Sequence, residues 1–136
     1  MRGQCLCRAI TIEAEEHHSI EACHCGMCRT WSGGPMLAVH AGPDVRIDGA
    51  GMLKVYRSSE WAERAFCSQC GTHIYYKMRA SPEYILTAGL FTDVDFELQR
   101  QIFIDRKPAY YAFANATADR TEAEVFAQFA AGSDEA

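Results

Sequence analysis

The sequence predicts a mainly β domain with one short C-terminal helix, and three observations lead there. Short segments rich in β-branched and aromatic residues recur along the chain with turn residues between them. Only one stretch, near the end, carries a helical apolar period. Seven cysteines among 136 residues fall in three tight clusters, the pattern of a fold held together by metal ligands.

Taken in chain order, Arg8–Ala14 alternates, with Ile10, Ile12 and Ala14 on one side, and reads as a half-buried strand. Glu15, Glu16, His17 and His18 make a polar turn. Gly33, Gly34 and Pro35 punctuate before a strand at Met36–His40, and Gly42-Pro43-Asp44 turns the chain again. Met52–Arg57, Glu60–Phe66, Thr72–Met78 and Tyr84–Ala88 follow as strands close enough for antiparallel hairpins. Gln101–Asp105 alternates once more, and Lys107-Pro108 ends it. Thr121 with Glu124 three residues on suits a capping box. Val125, Phe126, Phe129 and Ala130 then share one helical face that should pack on the sheet, with Gly132 as the stop. The chain is expected to be a single zinc-binding domain over residues 1–132, with a frayed tail at 133–136.

Composition narrows the function classes. Apolar residues make up 49% and charged residues 23%, as in an ordinary globular chain. The longest uncharged stretch, Thr30 to Pro43, is 14 residues with three glycines, too short to span a bilayer. No membrane partner is expected. The start, MRGQCLCRAI, lacks the apolar core of a secretory signal, so a cytoplasmic location is expected. Net charge is −5, which argues against nucleic acid, whose binders present a basic face. Arg100, Arg106 and Lys107 read as a solvated edge.

The cysteines carry the chemistry. An odd number cannot all pair as disulfides, and thiols in a reducing compartment seldom pair structurally. Cys67-Ser-Gln-Cys70-Gly71 is a knuckle in which Gly71 can take the left-handed conformation of a tight bend. In an extended chain Cys5 and Cys7 point the same way. Together these pairs, some 60 residues apart, supply four sulfurs for one closed zinc site. A redox dithiol at Cys67 and Cys70 would call for a strand–helix context that the sequence lacks.

Cys23-His24-Cys25-Gly26-Met27-Cys28 offers three thiolates and no evident fourth ligand. In an extended segment His24 points away from Cys23 and Cys25. Two readings stay open: a zinc with a free position for a ligand, or a second structural site closed by His73, His40 or an acidic side chain. Zinc on three thiolates carries net −1 and suits a soft thiol ligand. His73 reads more simply as a structural histidine. Arg29 and Trp31 lie just beyond the cluster and are candidates to hold an anionic or apolar substrate group. His24 and Arg29 are the non-cysteine candidates for a catalytic role; His24 or a nearby tyrosine would relay a proton.

Gly3-Gln-Cys5-Leu-Cys7, Cys23-His-Cys25-Gly-Met-Cys28-Arg29 with Trp31-Ser32-Gly33, and Phe66-Cys67-Ser-Gln-Cys70-Gly71 resemble the glutathione-dependent formaldehyde-activating family, which also includes centromere protein V. Tyr56-Arg57-Ser58-Ser59, Ala88-Gly89 and Ile102-Phe103 fit as well, so the likeness runs from Gly3 to Ala114. The resemblance implies folded antiparallel sheets of the Mss4-like kind with two zinc ions. By position Cys5, Cys7, Cys67 and Cys70 correspond to the family's structural ligands, and Cys23, Cys25 and Cys28 to its catalytic-type ligands. It implies a carbon–sulfur lyase that combines a small aldehyde, formaldehyde, with the thiol glutathione. One departure is visible: many members have histidine where this chain has Gln101.

The alternative on the same scaffold is a non-catalytic zinc module that binds a protein partner. Seven thiolates carry −7 and two zinc ions +4, so loading would take the net charge from −5 to −8. An anionic thiol would then need local help, and Arg29 is placed to give it.

Overall fold

The computed structural model describes residues 1–130. Eleven strands and two α-helices occur among them: β1 Arg2–Gln4, β2 Thr11–Ala14, β3 Ser19–Cys23, α1 Gly26–Ser32, β4 Met36–Gly42, β5 Val45–Asp48, β6 Leu53–Tyr56, β7 Ala62–Cys67, β8 His73–Met78, β9 Tyr84–Thr87, β10 Glu97–Ile102, β11 Ala118–Arg120 and α2 Glu122–Ala130. The chain is mainly β, as expected. Gly132 and the tail from Ser133 lie outside the described residues. Two compact units are formed among the described residues, one from residues 1–18 with 39–96 and one from residues 19–38 with 97–130.

In the first unit, β2 pairs antiparallel with β1 and β5, so that Ile12 stands opposite both Gly3 and Ile47. Ile10 and Ile12 are fully buried, as the alternation demands. Gly3 admits no other residue: a Cβ there would come 2.6 Å from the Leu90 carbonyl oxygen. β6, β7, β8 and β9 follow one another as antiparallel neighbours, with Ala65 opposite Val55 and Tyr75. Ile74 and Leu86 join Ile10 and Ile12 in one core with Cys5 and Cys67. Each such aliphatic side chain contributes about 1.5–3 kcal/mol on burial.

In the second unit, β3 pairs antiparallel with β4 and parallel with β10, which in turn runs parallel to β11. Hairpin reasoning cannot supply those parallel pairs, because β3 and β10 are far apart in sequence. Their register sets Gln101 beside Ala22 and Ile102 beside Cys23.

Three local expectations are corrected. The strand expected over Gln101–Asp105 ends at Ile102, because Phe103 adopts φ 54° and the chain winds into a 3-10 turn at Ile104–Arg106. Cys28 lies on a helix, α1, whose weak signal (Gly26 at its start, Gly33 at its end) the sequence conceals. On α2 only Val125 is buried; Phe126 and Phe129 remain 52% and 48% exposed. The helix is held near its start, where Asp105 accepts from the Glu122 amide, and Phe126, one turn on, meets the Phe103 ring edge-on at 5.9 Å. The capping box forms: Thr121 Oγ1 accepts from the Glu124 amide at 3.2 Å, and Glu124 Oε1 from the Thr121 amide at 2.9 Å.

Candidate metal centres

The four sulfurs of Cys5, Cys7, Cys67 and Cys70 converge in the first unit. Cys5 and Cys7 do not sit in an extended segment. Arg8, at φ 68°, closes a turn in which its amide donates to the Cys5 carbonyl at 3.0 Å. The Ile10 amide donates to Cys5 Sγ at 3.3 Å. β1 and β2 therefore present a knuckle from their connecting loop. The second knuckle follows β7, where Gly71 at φ 79° donates its amide to the Cys67 carbonyl at 2.8 Å.

The sulfur spacing tests whether a metal fits. Cys7 Sγ lies 3.6 Å from Cys5 Sγ and 3.7 Å from Cys67 Sγ. A disulfide requires about 2.05 Å. Four sulfurs at ~2.3 Å from one tetrahedral zinc stand about 3.8 Å apart. The donor set suits zinc in both chemistry and size. The Thr72 hydroxyl, at 3.2 Å, and the Thr72 and Cys7 backbone pull the Cys70 thiol down to about 5.

The second unit gathers Cys23, Cys25 and Cys28. Cys23 ends β3. Cys25 caps α1, its sulfur accepting from the Cys28 amide at 3.4 Å. Cys28 follows on the first helical turn with its side chain buried. The thiols crowd one another, and hydrogen bonding with Cys25 and Cys28, then burial, hold Cys23 well above the usual thiol value. A divalent cation reverses that balance by displacing the protons. Among the described residues, no histidine nitrogen or carboxylate oxygen joins these three sulfurs. His73 lies on β8 and His40 on β4, both in the first unit.

His24 is fully buried and turned to other partners. Its Nε2 is 2.8 Å from Gln101 Oε1 and its Nδ1 is 2.7 Å from the Tyr111 hydroxyl. Burial holds it below the usual histidine value. Behind Gln101 the chain of contacts continues: Gln101 Nε2 donates to Thr117 Oγ1 at 2.9 Å, and Thr117 donates to Asp119 at 2.6 Å. Arg29 Nε donates to the His24 carbonyl at 2.9 Å. Lys107, expected on a solvated edge, instead donates to the Pro108 and Tyr111 carbonyls at 3.1 and 2.6 Å. It lies over the Tyr111 ring, 5.3 Å from the centroid.

Sequence reasoning missed Tyr111, Thr117 and Asp119 as members of the hydrogen-bonded chain that runs through His24 and Gln101. The aromatic run Tyr110, Tyr111 and Phe113 was the available signal, and its members diverge: Tyr110 is exposed, whereas Tyr111 and Phe113 stack obliquely on His24.

Comparison with known proteins adds three findings. Residues 1–106 match the family described as glutathione-dependent formaldehyde-activating enzyme. An uncharacterized lyase of Schizosaccharomyces pombe is 36% identical over 126 residues, covering 90% of this chain and 92% of the relative. The crystal structure of a Rhodobacter sphaeroides protein superposes with a TM-score of 0.59 at 30% identity, over 69% of this chain and 90% of that one.

Proposed function

The chain belongs to the glutathione-dependent formaldehyde-activating enzyme family, and on that premise we propose that it is a zinc-dependent carbon–sulfur lyase acting on adducts of a small thiol with a small aldehyde, of the S-hydroxymethylglutathione type. The observation that carries this reading is the trio Cys23, Cys25 and Cys28, clustered with no fourth histidine, cysteine or carboxylate ligand among the described residues. Zinc there, when bound, supplies an electrophilic position that holds a thiol as its thiolate.

The chain's own residues supply the rest. Cys23, Cys25 and Cys28 present three sulfurs from a strand end, a helix cap and a first helical turn. The guanidinium of Arg29, fixed through Nε, keeps its terminal nitrogens for a substrate carboxylate. His24 and Tyr111 form a hydrogen-bonded pair from which a proton can be held or moved at the aldehyde oxygen. In the forward direction the thiolate sulfur bonds to the aldehyde carbon, and the carbonyl electron pair moves to oxygen, which takes a proton. Cys5, Cys7, Cys67 and Cys70 hold a second, structural zinc. Seven cysteines with no disulfide among them suit a reducing, cytoplasmic setting.

The test is exchange between glutathione, formaldehyde and their adduct, followed by NMR above the spontaneous rate. Zinc-loaded protein should accelerate it, and Cys25→Ala should not. Equal rates for the two would end this reading.

A further inference from the structure

We propose that Gln101 is a positioning residue of the three-cysteine site: by gripping the His24 side chain it fixes the segment between Cys23 and Cys25, and so sets how tightly that cluster holds its metal. The inference rests on the metal-binding reading of the cluster and not on the chemistry of a thiol adduct.

Every polar atom of His24 is engaged. Its amide donates to the Ile102 carbonyl at 3.1 Å, and its carbonyl accepts from Arg29 Nε at 2.9 Å. Nε2 meets Gln101 Oε1 at 2.8 Å, and Nδ1 meets the Tyr111 hydroxyl at 2.7 Å. The residue is fully buried and stands in the two-residue link between β3 and α1. Its amide is tied to β10, its carbonyl to α1, and its ring to Gln101 and Tyr111. Cys23 precedes it directly and Cys25 follows it directly. A buried ring held at both nitrogens has little freedom left about its side-chain bonds. The backbone of His24 is therefore located from its ring as well as from its own bonds. Turning either flanking peptide would swing the Cys23 or the Cys25 sulfur.

The sheet delivers Gln101 to this place. The parallel register of β3 and β10 sets it beside Ala22, two residues before His24 and on the same side of the chain. Gln101 is itself buried, and its carboxamide uses both ends. The oxygen faces His24, and the nitrogen donates to Thr117 Oγ1 at 2.9 Å. Thr117 donates in turn to Asp119 Oδ1 at 2.6 Å. Asp119 lies on β11, which pairs with β10 opposite Gln101 itself, so the grip is anchored in the sheet. Asparagine, one methylene shorter, would not span both partners. Leucine fills nearly the same volume and bonds neither, leaving buried polar groups unpaired. Groups that orient metal ligands without touching the metal typically change its affinity about 10- to 100-fold.

Cobalt titration of the full chain without oxygen, against a competing chelator, tests this. Bands lost in Cys25→Ala belong to the three-cysteine cluster, and the four-sulfur set reports in the same sample that the fold is intact. Gln101→Leu should weaken cobalt binding at the three-cysteine cluster about 10- to 100-fold and leave the four-sulfur site within twofold. Thr117→Val removes only the outer anchor and should cost about three- to tenfold, the range for one neutral hydrogen bond. Thr117→Ser keeps the hydroxyl and should bind as the unmodified protein does. Unchanged affinity at the cluster in Gln101→Leu overturns the proposal; if that variant does not fold, unchanged affinity in Thr117→Val overturns it. Equal weakening at both sites overturns it too, because a general loss of stability would produce that. A single cobalt bound by the unmodified protein removes the metal reading of the cluster and the proposal with it. Failure of the lyase reading shows separately, in thiol–aldehyde exchange, and leaves these cobalt affinities as expected.

Discussion

The Nε of Arg29 donates to the carbonyl oxygen of His24 at 2.9 Å, tying α1 back to the residue that follows Cys23 at the end of β3. One arm of the guanidinium is thereby spent on the backbone. The bond fixes the plane of the fork and leaves its terminal nitrogens for an anion. Lysine cannot reproduce this, because an ammonium is a point charge without a second, oriented arm.

Arg29 should therefore separate charged from neutral thiols. A charge-assisted hydrogen bond contributes about 1.5–3 kcal/mol, or roughly 10- to 100-fold in affinity. Arg29→Ala should raise the KM for glutathione by that factor and change the KM for 2-mercaptoethanol little. Arg29→Lys should recover only part of the loss. Steady-state kinetics with both thiols checks it, and a uniform change for both would assign Arg29 to structure alone.

The four-sulfur site should dominate stability. Cys5 and Cys67 are 1% and 0% exposed and belong to the core that holds Ile10, Ile12 and Ile74. Structural zinc contributes on the order of 10–16 kcal/mol in finger peptides, as much as the whole ~5–15 kcal/mol stability of a typical domain. Cys67→Ala, Cys5→Ala or strong chelation should abolish the cooperative melting transition. Cys25→Ala, at a half-buried helix cap, should retain a transition. Thermal unfolding with metal analysis decides between them.

The residues that read clearly in the sequence are those whose chemistry is local. Gly71 follows its cysteine knuckle, Ile10 and Ile12 alternate, and Thr121 caps against Glu124, and each contact forms within a few residues of its signal. What the sequence hid is held by distant partners. β10 lies parallel to β3 only because the chain returns after more than 70 residues, and that pairing brings Gln101 to His24. Thr117 and Asp119 look like ordinary loop polars until the same return places them behind Gln101. Cys5 and Cys7 were legible as ligands but not in conformation, because the positive φ falls on Arg8, a residue that rarely adopts one.

Capping of α2 gives a pH-dependent prediction with a definite sign. The Thr121 backbone amide, then its side chain, holds the Glu124 carboxyl below the usual value. A carboxylate whose folded pKa is depressed contributes stability above its unfolded pKa and loses it as pH falls through the folded one. Thr121→Ala should cost about 1 kcal/mol at neutral pH, the usual worth of a threonine cap. Glu124→Gln should lower the melting temperature at pH 7 and match the unmodified protein in strong acid. A pH-independent difference for Glu124→Gln would show that the box does not act through the charge.

Cobalt in place of zinc separates an open second site from a closed one. Two tetrahedral thiolate sites give overlapping visible bands, and Cys25→Ala should remove those of the second cluster while sparing the four-sulfur set. If Cys23, Cys25 and Cys28 leave a position free, glutathione should enter as thiolate and alter only the bands that Cys25→Ala removes. S-methylglutathione keeps the carboxylates but has no ionisable thiol, so it should leave the spectrum unchanged while still competing through Arg29. Under the proposed function, Arg29→Ala should shift the glutathione titration to higher concentration with the same final spectrum, because Arg29 would hold the carboxylate and not coordinate the metal. A spectrum indifferent to glutathione at saturating concentration would mean that the second metal is already fully coordinated, and the non-catalytic, partner-binding reading of the scaffold would take its place.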